Sequence, residues 1–459
     1  LSFVPHTALE IENMLSVIGV DAIADLFSEI PASLLAKPNF NLPEAMTELE
    51  TTRFMKARAE NTAQVLNFQG AGAYEHFIPA AVWQLIGRGE WMTAYTPYQA
   101  EASQGTLQLI YEFQTMICEL TGMPVANASM YDGASALAES ALMALRLHKK
   151  ATTVLVPRSV HPQYRAVLKT FLGAQQFIIK EIDFDMASGT TAVAAYEKMH
   201  DAHTAAWIIP QPNFFGQLEA VDDLCNAAKK AGALAIALVN PMALALLKPP
   251  GEWGDEGVDI VCGEAQSLGV PLNSGGPYVG FLASKMDWVR QMPGRIVGRT
   301  TDARGNAGFT LTLQAREQHI RRGKATSNIC TNQGLLMAAA TIYMALMGPT
   351  GLLRVAQQSH ANTKKLCEKL SELSGITLPF SGAYFHERVV KLPGSSQTLL
   401  AALATDNIVA GYDLSTHYPE LQNCILVCAT ETKTENDFAV LSQAIQKRFI
   451  PFVFQDTKG

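Results

Sequence analysis

Four short segments carry residue types whose combined chemistry is suggestive. Asp132-Gly133-Ala134-Ser135 opens a stretch rich in Ala and Leu. Backbone N–H groups and a hydroxyl at a helix N-terminus make a cradle for phosphate, although the same residues also suit an ordinary N-cap. His161, in VPRSVHPQYR, stands just beyond a strand, where a flat ring can lie against a planar cofactor or simply hydrogen-bond at the surface. Asn240 closes ALAIALVNP at the C-terminal end of another strand, and Gln266 lies in the turn GEAQSLG after VDIVCG.

A phosphate cradle, a flat ring and polar groups at strand ends are parts of a pyridoxal-phosphate site, but two of the parts are chemically wrong. At position 240 an aspartate would keep the pyridine nitrogen protonated, whereas asparagine hydrogen-bonds without supplying charge. At position 266 a lysine would form the Schiff base, and a carboxamide nitrogen is not nucleophilic. Lys248 and Lys285 follow strand-like segments and leave open an autonomous pyridoxal enzyme with another anchor. A non-catalytic regulatory or binding protein with a degenerate version of the fold is a third reading.

Two further segments are rich in polar side chains. In WMTAYTPYQAEASQG, Tyr95, Thr96, Tyr98, Gln99 and Glu101 crowd a loop ahead of a long helix, the composition of a site wall or an interface, or of a polar lid over the core. LTLQAREQHIRRGKATSNICTNQ holds Arg316, Arg321, Arg322 and Lys324, followed by Thr326 and Asn328. That cluster suits a phosphate or carboxylate, and equally the polar face of a helix paired with Glu317.

These residues need elements to position them. Apolar runs at 152–157, 205–210, 233–239, 258–263 and 278–284 alternate with amphipathic helical segments at 161–172 and 218–232. Strands without polar alternation, separated by helices, predict a mostly parallel sheet covered on both faces, with ligand sites beyond the strands' C-terminal ends. The fold class expected is therefore α/β, with a small α+β domain following it. The boundaries expected are 1–60 for an N-terminal helical arm and connector, 61–345 for the large domain and 346–459 for the small one. Thr7 and Glu10 predict a capping box, Ile23, Leu26, Phe27 and Ile30 predict a second helix stopped by Pro31, and KPNFNLPEAM reads as a connector.

Composition narrows the partners. A net charge of −7 over 459 residues offers no basic excess for nucleic acid. The stretch LLMAAATIYMALMG is too short to span a bilayer and predicts a buried helix, so no membrane partner is expected. The seven cysteines are scattered without CxxC spacing and the N-terminus lacks a secretory pattern, which predicts reduced thiols and a cytoplasmic location. No histidine pair or carboxylate cluster has metal-ligand spacing, and no metal is expected.

The segments PHTALEIENMLSVIGV, GAGAYEHFIPAAV, AYTPYQAEASQGTLQLIYEFQTMICELTGM, YDGASALAE, GEAQSLGVPL and LTLQAREQHIRRGKATSNICTNQ resemble the glycine decarboxylase family, the P-proteins of the glycine cleavage system. The resemblance is to the first subunit of the split bacterial form and runs from residue 4 to about 440. It implies a fold-type I pyridoxal-phosphate transferase-like architecture and a chain that is inactive alone. It places pyridoxal 5'-phosphate on a lysine of glycine decarboxylase subunit 2, with glycine as substrate and the lipoylated H-protein as acceptor of the aminomethyl group. No catalytic residue is then expected on this chain. Tyr95, Thr96, Tyr98, Gln99 and Glu101 would support the partner's site, and Ser135, His161, Asn240, Gln266, Thr326 and Asn328 would line a degenerate pocket. Within the family pattern, Asn240 stands where aspartate is common, Tyr278 where histidine is usual, and Gly323 where a larger residue precedes Lys324.

Overall fold

The computed structural model describes residues 5–35, 41–60, 65–92, 94–273 and 275–453. The chain forms two compact units, Leu1–Ala63 and Gln64–Gly459. In the first, helix α1 (Ala8–Ile18) starts at the expected capping box: the Thr7 hydroxyl accepts from the Glu10 N–H at 3.4 Å and the Glu10 carboxylate accepts from the Thr7 N–H at 2.6 Å. The second helix expected at Ile23–Ile30 is instead a 3-10 turn over Ile23–Phe27. The next α-helix described in this unit is α2 (Glu48–Glu60). Part of the connector, 37–40, lies outside the described residues.

The second unit carries strands β1 (Leu66–Asn67), β2 (Val125–Ala126), β3 (Thr153–Pro157), β4 (Ile178–Ile182), β5 (Thr204–Gln211), β6 (Leu234–Val239), β7 (Ile260–Glu264) and β8 (Gly280–Ser284). Its helices up to that point are α3 (Ala80–Ile86), α4 (Gln104–Thr121), α5 (Gly133–Leu147), α6 (Pro162–Gly173), α7 (Val193–Met199) and α8 (Val221–Lys230). Among the described residues, seven strands form one sheet in the order β2-β8-β7-β6-β5-β3-β4. Among the described strands of this sheet, β8 runs opposite to the others, antiparallel to both β2 and β7, whereas the sequence pattern suggested another parallel strand. The reason is local: a loop without a crossover helix joins β7 to β8, and parallel return requires such a crossover.

The continuous apolar runs follow from burial on both faces. In β5, Trp207 and Ile209 enter one core with α4 and α8, while Ala206 and Ile208 enter the other with α5 and α6. In β6, Ala235 and Ala237 alternate with Leu234 and Ile236 in the same way. With a side-chain period of two, both registers must be apolar, and alternation disappears from the sequence.

A hairpin, β9 (Ile296–Thr301) and β10 (Ala307–Thr312), follows the sheet, with a short helix α9 (Gln318–Arg321) after it. Helix α10 (Gly334–Ser371) is longer than the stretch predicted for it, and within it one window is long and apolar enough to cross a membrane. Gly348, in the left-handed region at φ 59°, and Pro349 divide it, and Leu336, Met337 and Tyr343 are buried in the core. The break lies beside the domain boundary expected at 345. Beyond it, β11 (Glu387–Lys391), β12 (Ile408–Val409), β13 (Tyr412–Asp413) and β14 (Cys424–Cys428) join helices α11 (Ser396–Ala404) and α12 (Glu435–Val453). Antiparallel β11-β14-β13 packs with these helices into a separate apolar cluster, and β12 pairs with β1.

Candidate functional site

A cavity of about 80 Å³ lies beyond the C-terminal ends of β5, β6 and β7, lined by His161, Tyr164, Asn213, Asn240, Glu264 and Glu387 among others. This is where an open α/β sheet places its ligand site. Of the residues expected in a degenerate pocket, His161 and Asn240 line it, while Ser135 and Gln266 do not. Glu264 and Glu387 were not anticipated, the first because it looked like part of the turn and the second because 123 positions separate it from residue 264.

The segment Gly70–His76 closes over this cavity as a strap, and the pocket residues hold it down. Gln266 lies beneath it, 1% exposed. Its Oε1 accepts from the Tyr74 N–H (2.8 Å), and its Nε2 donates to the carbonyls of Tyr74 (2.9 Å) and Val270 (2.7 Å). Both amide hydrogens and the acceptor oxygen are thus in use within the chain. His161 caps α6, its Nδ1 accepting from the Gln163 N–H at 3.0 Å while Nε2–H donates to the Ala71 carbonyl at 2.8 Å. Burial lowers its pKa to about 4, so the ring is neutral. Gly72, at φ 99°, lets the strap lie on that ring, because a Cβ there would stand 2.9 Å from His161 Cδ2.

Glu387, on β11, ties the strap from the other side. Its carboxyl accepts from the Ala71 N–H (2.6 Å) and from the Tyr74 hydroxyl (2.8 Å). Burial pushes it up to about 7 against the pull of those two donors. Asn240 accepts from the Met242 N–H at 2.9 Å and donates toward His386 Nε2 at 3.3 Å, and burial keeps His386 neutral.

At the head of α5, Ser135 is the third residue of the helix, and its N–H donates to the Asp132 carboxylate at 2.7 Å. The Gly133 N–H donates not toward open space but to Glu264 Oε2, at 2.8 Å. Burial drives the Glu264 pKa up to about 8, against the amides of Gly133, Val279 and Gln266. The residues present therefore do not fit pyridoxal phosphate: the anchor is a saturated carboxamide, position 240 carries no charge, and a side chain already sits on the helix N-terminus. Lys248 pairs with Asp222 (3.0 Å) and Lys285 with Asp259 (3.5 Å), and neither lines the cavity. Thr326 and Asn328, expected in this pocket, do not line it. They lie on the loop after α9, where the Thr326 N–H donates to the Arg316 carbonyl at 3.0 Å.

That loop belongs instead with the tyrosines. Arg295, 1% exposed and preceding β9, is the hub that joins them. It pairs with the Glu317 carboxylate, donates to Thr331 Oγ1 (3.1 Å) and the Cys330 carbonyl (2.6 Å), and reaches the Tyr98 hydroxyl at 2.9 Å. Its guanidinium lies 4.8 Å from the centre of the Tyr98 ring. Thr96 Oγ1 meets Thr331 Oγ1 at 2.9 Å, while Tyr95, Gln99 and Glu101 are exposed, Tyr95 at 77%. Of the basic cluster, Arg316 is spent on the carbonyls of Met292, Gly294 and Leu313, while Arg321, Arg322 and Lys324 are exposed. Glu317 pairs across the fold with Arg295 and also has His319 Nδ1 at 3.6 Å on the adjoining helix. Sequence offered no signal for Arg295, a lone cation beside the apolar pair Ile296-Val297.

With this geometry in view, the architecture defines a class. Solved structures of a sphingosine-1-phosphate lyase from Burkholderia pseudomallei (13% identity, TM-score 0.65, 92% of this chain and 97% of that one) and a Lactobacillus brevis glutamate decarboxylase (13%, TM-score 0.67, 91% and 97%) share it. The fold is that of fold-type I pyridoxal-phosphate enzymes. Residues 1–445 match the glycine cleavage system P-protein family. The chain is 57% identical over 437 residues to a probable glycine dehydrogenase (decarboxylating) subunit 1 of Nitrosospira multiformis, covering 95% of this chain and 97% of the relative. A relative of the same description from Nitrosomonas europaea is 54% identical over 97% of this chain and 99% of its own. A crystal structure of an inhibitor-bound glycine decarboxylase (P-protein) of the glycine cleavage system superposes with a TM-score of 0.90 at 40% identity, covering 97% of this chain and all of that one. The chain belongs to the glycine cleavage system P-protein family.

Proposed function

We propose that this chain is the subunit of a two-chain glycine decarboxylase that does not anchor the cofactor. With its partner, glycine decarboxylase subunit 2, it releases carbon dioxide from glycine and passes the aminomethyl group to the lipoyl arm of H-protein. Pyridoxal phosphate then belongs on a lysine of the partner. The observation that carries this reading is Gln266: it stands at the anchor position, is not nucleophilic, and spends its whole carboxamide on holding the Gly70–His76 strap.

The chain's own contribution is then a wall. The loop with Tyr95, Thr96, Tyr98, Gln99 and Glu101, fastened through Arg295 and Thr331, faces the partner's site and excludes water from it. Tyr98 is fixed by two contacts to Arg295, and Tyr95, 77% exposed, is positioned to meet another surface. The test is co-expression with the partner, followed by glycine–bicarbonate carbon exchange in the presence of lipoylated H-protein. The complex is expected to be active and each chain alone inactive. A stoichiometric, borohydride-reducible pyridoxal adduct on the isolated chain overturns the reading. Exchange rates for Tyr95→Phe and Tyr98→Phe that both equal the wild-type rate overturn the wall assignment.

A further inference from the structure

The cradle at the N-terminus of α5 is not vacant. Glu264 Oε2 accepts from the Gly133 N–H at 2.8 Å, and Oε1 accepts from the N–H groups of Gln266 and Val279, both at 3.0 Å. These donors come from three separate segments: the head of a helix, the turn after β7, and the residue before β8. An anion bound at a helix N-terminus takes up such amides, together with the positive end of the helix dipole. The approach is close enough to depend on glycine. A Cβ on residue 133 would stand 2.4 Å from the Tyr164 hydroxyl and 2.8 Å from Glu264 Cβ. What remains beside Glu264 is the cavity of about 80 Å³, room for ordered water, whereas ligand pockets run to roughly 300 Å³ or more.

We propose that Glu264 is a built-in occupant of the cofactor-phosphate position, which closes this subunit to pyridoxal phosphate and to other phosphate esters. Two locks then operate in series. Gln266 removes the covalent anchor, and Glu264, two residues earlier, removes the phosphate cradle. Reverting the anchor alone leaves the second lock shut. This goes beyond the functional reading and needs no glycine turnover, so either can fail while the other stands.

The experiment uses the full chain as wild type, Glu264→Ala, Glu264→Gln, Gln266→Lys and the Glu264→Ala/Gln266→Lys pair. The probes are inorganic phosphate and pyridoxal phosphate. Thermal unfolding is followed at matched ionic strength, and covalent uptake is measured after borohydride reduction. The wild-type midpoint is expected to be indifferent to phosphate. Glu264→Ala, which leaves three amides without an acceptor, should melt lower and be raised again by phosphate, with phosphate binding at least about tenfold tighter than in wild type. Glu264→Gln, compared above pH 8 where the carboxyl is ionised, keeps an oxygen for the Gln266 and Val279 amides but presents an amide hydrogen to the Gly133 N–H, so it should also melt lower, which keeps the test open if the alanine variant fails to fold. Gln266→Lys should take up no pyridoxal phosphate, and the double variant should take it up. Stoichiometric uptake by Gln266→Lys alone overturns the proposal, as does Glu264→Gln melting like wild type without response to phosphate.

Discussion

The Gln266 pocket and the Tyr95–Tyr98 loop are both polar and both built from segments far apart in the chain, yet they spend their hydrogen-bonding capacity in opposite ways. In the pocket, Gln266, His161, Glu387 and Glu264 each bond to the chain's own backbone, and the result is a sealed floor under a strap. In the loop, one buried arginine does the fastening, and Tyr95, Gln99 and Glu101 are left exposed. A pocket without catalytic groups must still satisfy its buried polar atoms, because each one left unpaired costs about 1–3 kcal/mol out of a net stability of about 5–15 kcal/mol. A surface that works for another chain must keep some groups uncommitted. Under the proposed function, the difference separates what this chain retains for stability from what it offers to its partner.

The sharpest way to break that comparison is at Arg295. Replacing it with methionine leaves the Glu317 carboxyl buried without its cation, and such removals cost about 3–5 kcal/mol. Urea unfolding should show this loss, and limited proteolysis should cut near Tyr95 faster. An unchanged midpoint would mean the loop does not depend on its hub. Next in size, Gln266→Ala strands the N–H and carbonyl of Tyr74 and the carbonyl of Val270, a loss of about 1–3 kcal/mol. Hydrogen exchange at Tyr74 should rise with it. Protection equal to wild type would show that the strap holds itself.

The pH response sharpens the pocket side of the contrast. Glu387 has a folded pKa of about 7, above its ordinary 4.5, so between those values the native state binds the extra proton. Its contribution is fully present below about 4.5 and is lost as pH rises through about 7. Glu219 and Glu264 act in the same direction, at about 7 and about 8. His161, lowered to about 4, acts the other way: its contribution is complete above its ordinary 6.5 and is lost as pH falls toward 4. The readout is therefore the difference between Glu387→Gln and wild type. The variant's unfolding free energy should decline less between pH 5 and 7, and parallel curves would refute the assignment. The smallest effect is expected at the tyrosines. Tyr98→Phe should cost about 1 kcal/mol through its bond to Arg295, and Tyr95→Phe, at 77% exposure, close to nothing in denaturant titrations.

Much of the architecture was legible because it follows from local periodicity. The runs at 152–157, 205–210 and 233–239 read as strands buried on both faces, and the Thr7–Glu10 pair as a helix start, and the structure has strands at 153–157, 204–211 and 234–239 and a capped helix from Ala8. Two local readings failed for identifiable reasons. Ile23–Ile30 has helical spacing, but its regular structure stops at Phe27 after a 3-10 turn. The β8 segment has the composition of an interior strand, which says nothing about direction; the helix-free connection to β7 decides that. Thr326 and Asn328 were assigned to the wrong neighbourhood because order along the chain does not show which loop a segment will pack against.

By itself the sequence determined what Gln266 cannot do. A carboxamide is not a nucleophile in any fold, and that single substitution excludes a Schiff base at position 266 whatever surrounds it. Only the tertiary structure decided what takes the place of the lost chemistry. Glu264 and Gly133 are 131 positions apart, Glu387 and Tyr74 are 313 apart, and Arg295 and Tyr98 are 197 apart. Hydrogen bonds act over about 3 Å, so their partners are set by how the sheet order and loop closures bring distant segments together, which no local pattern records.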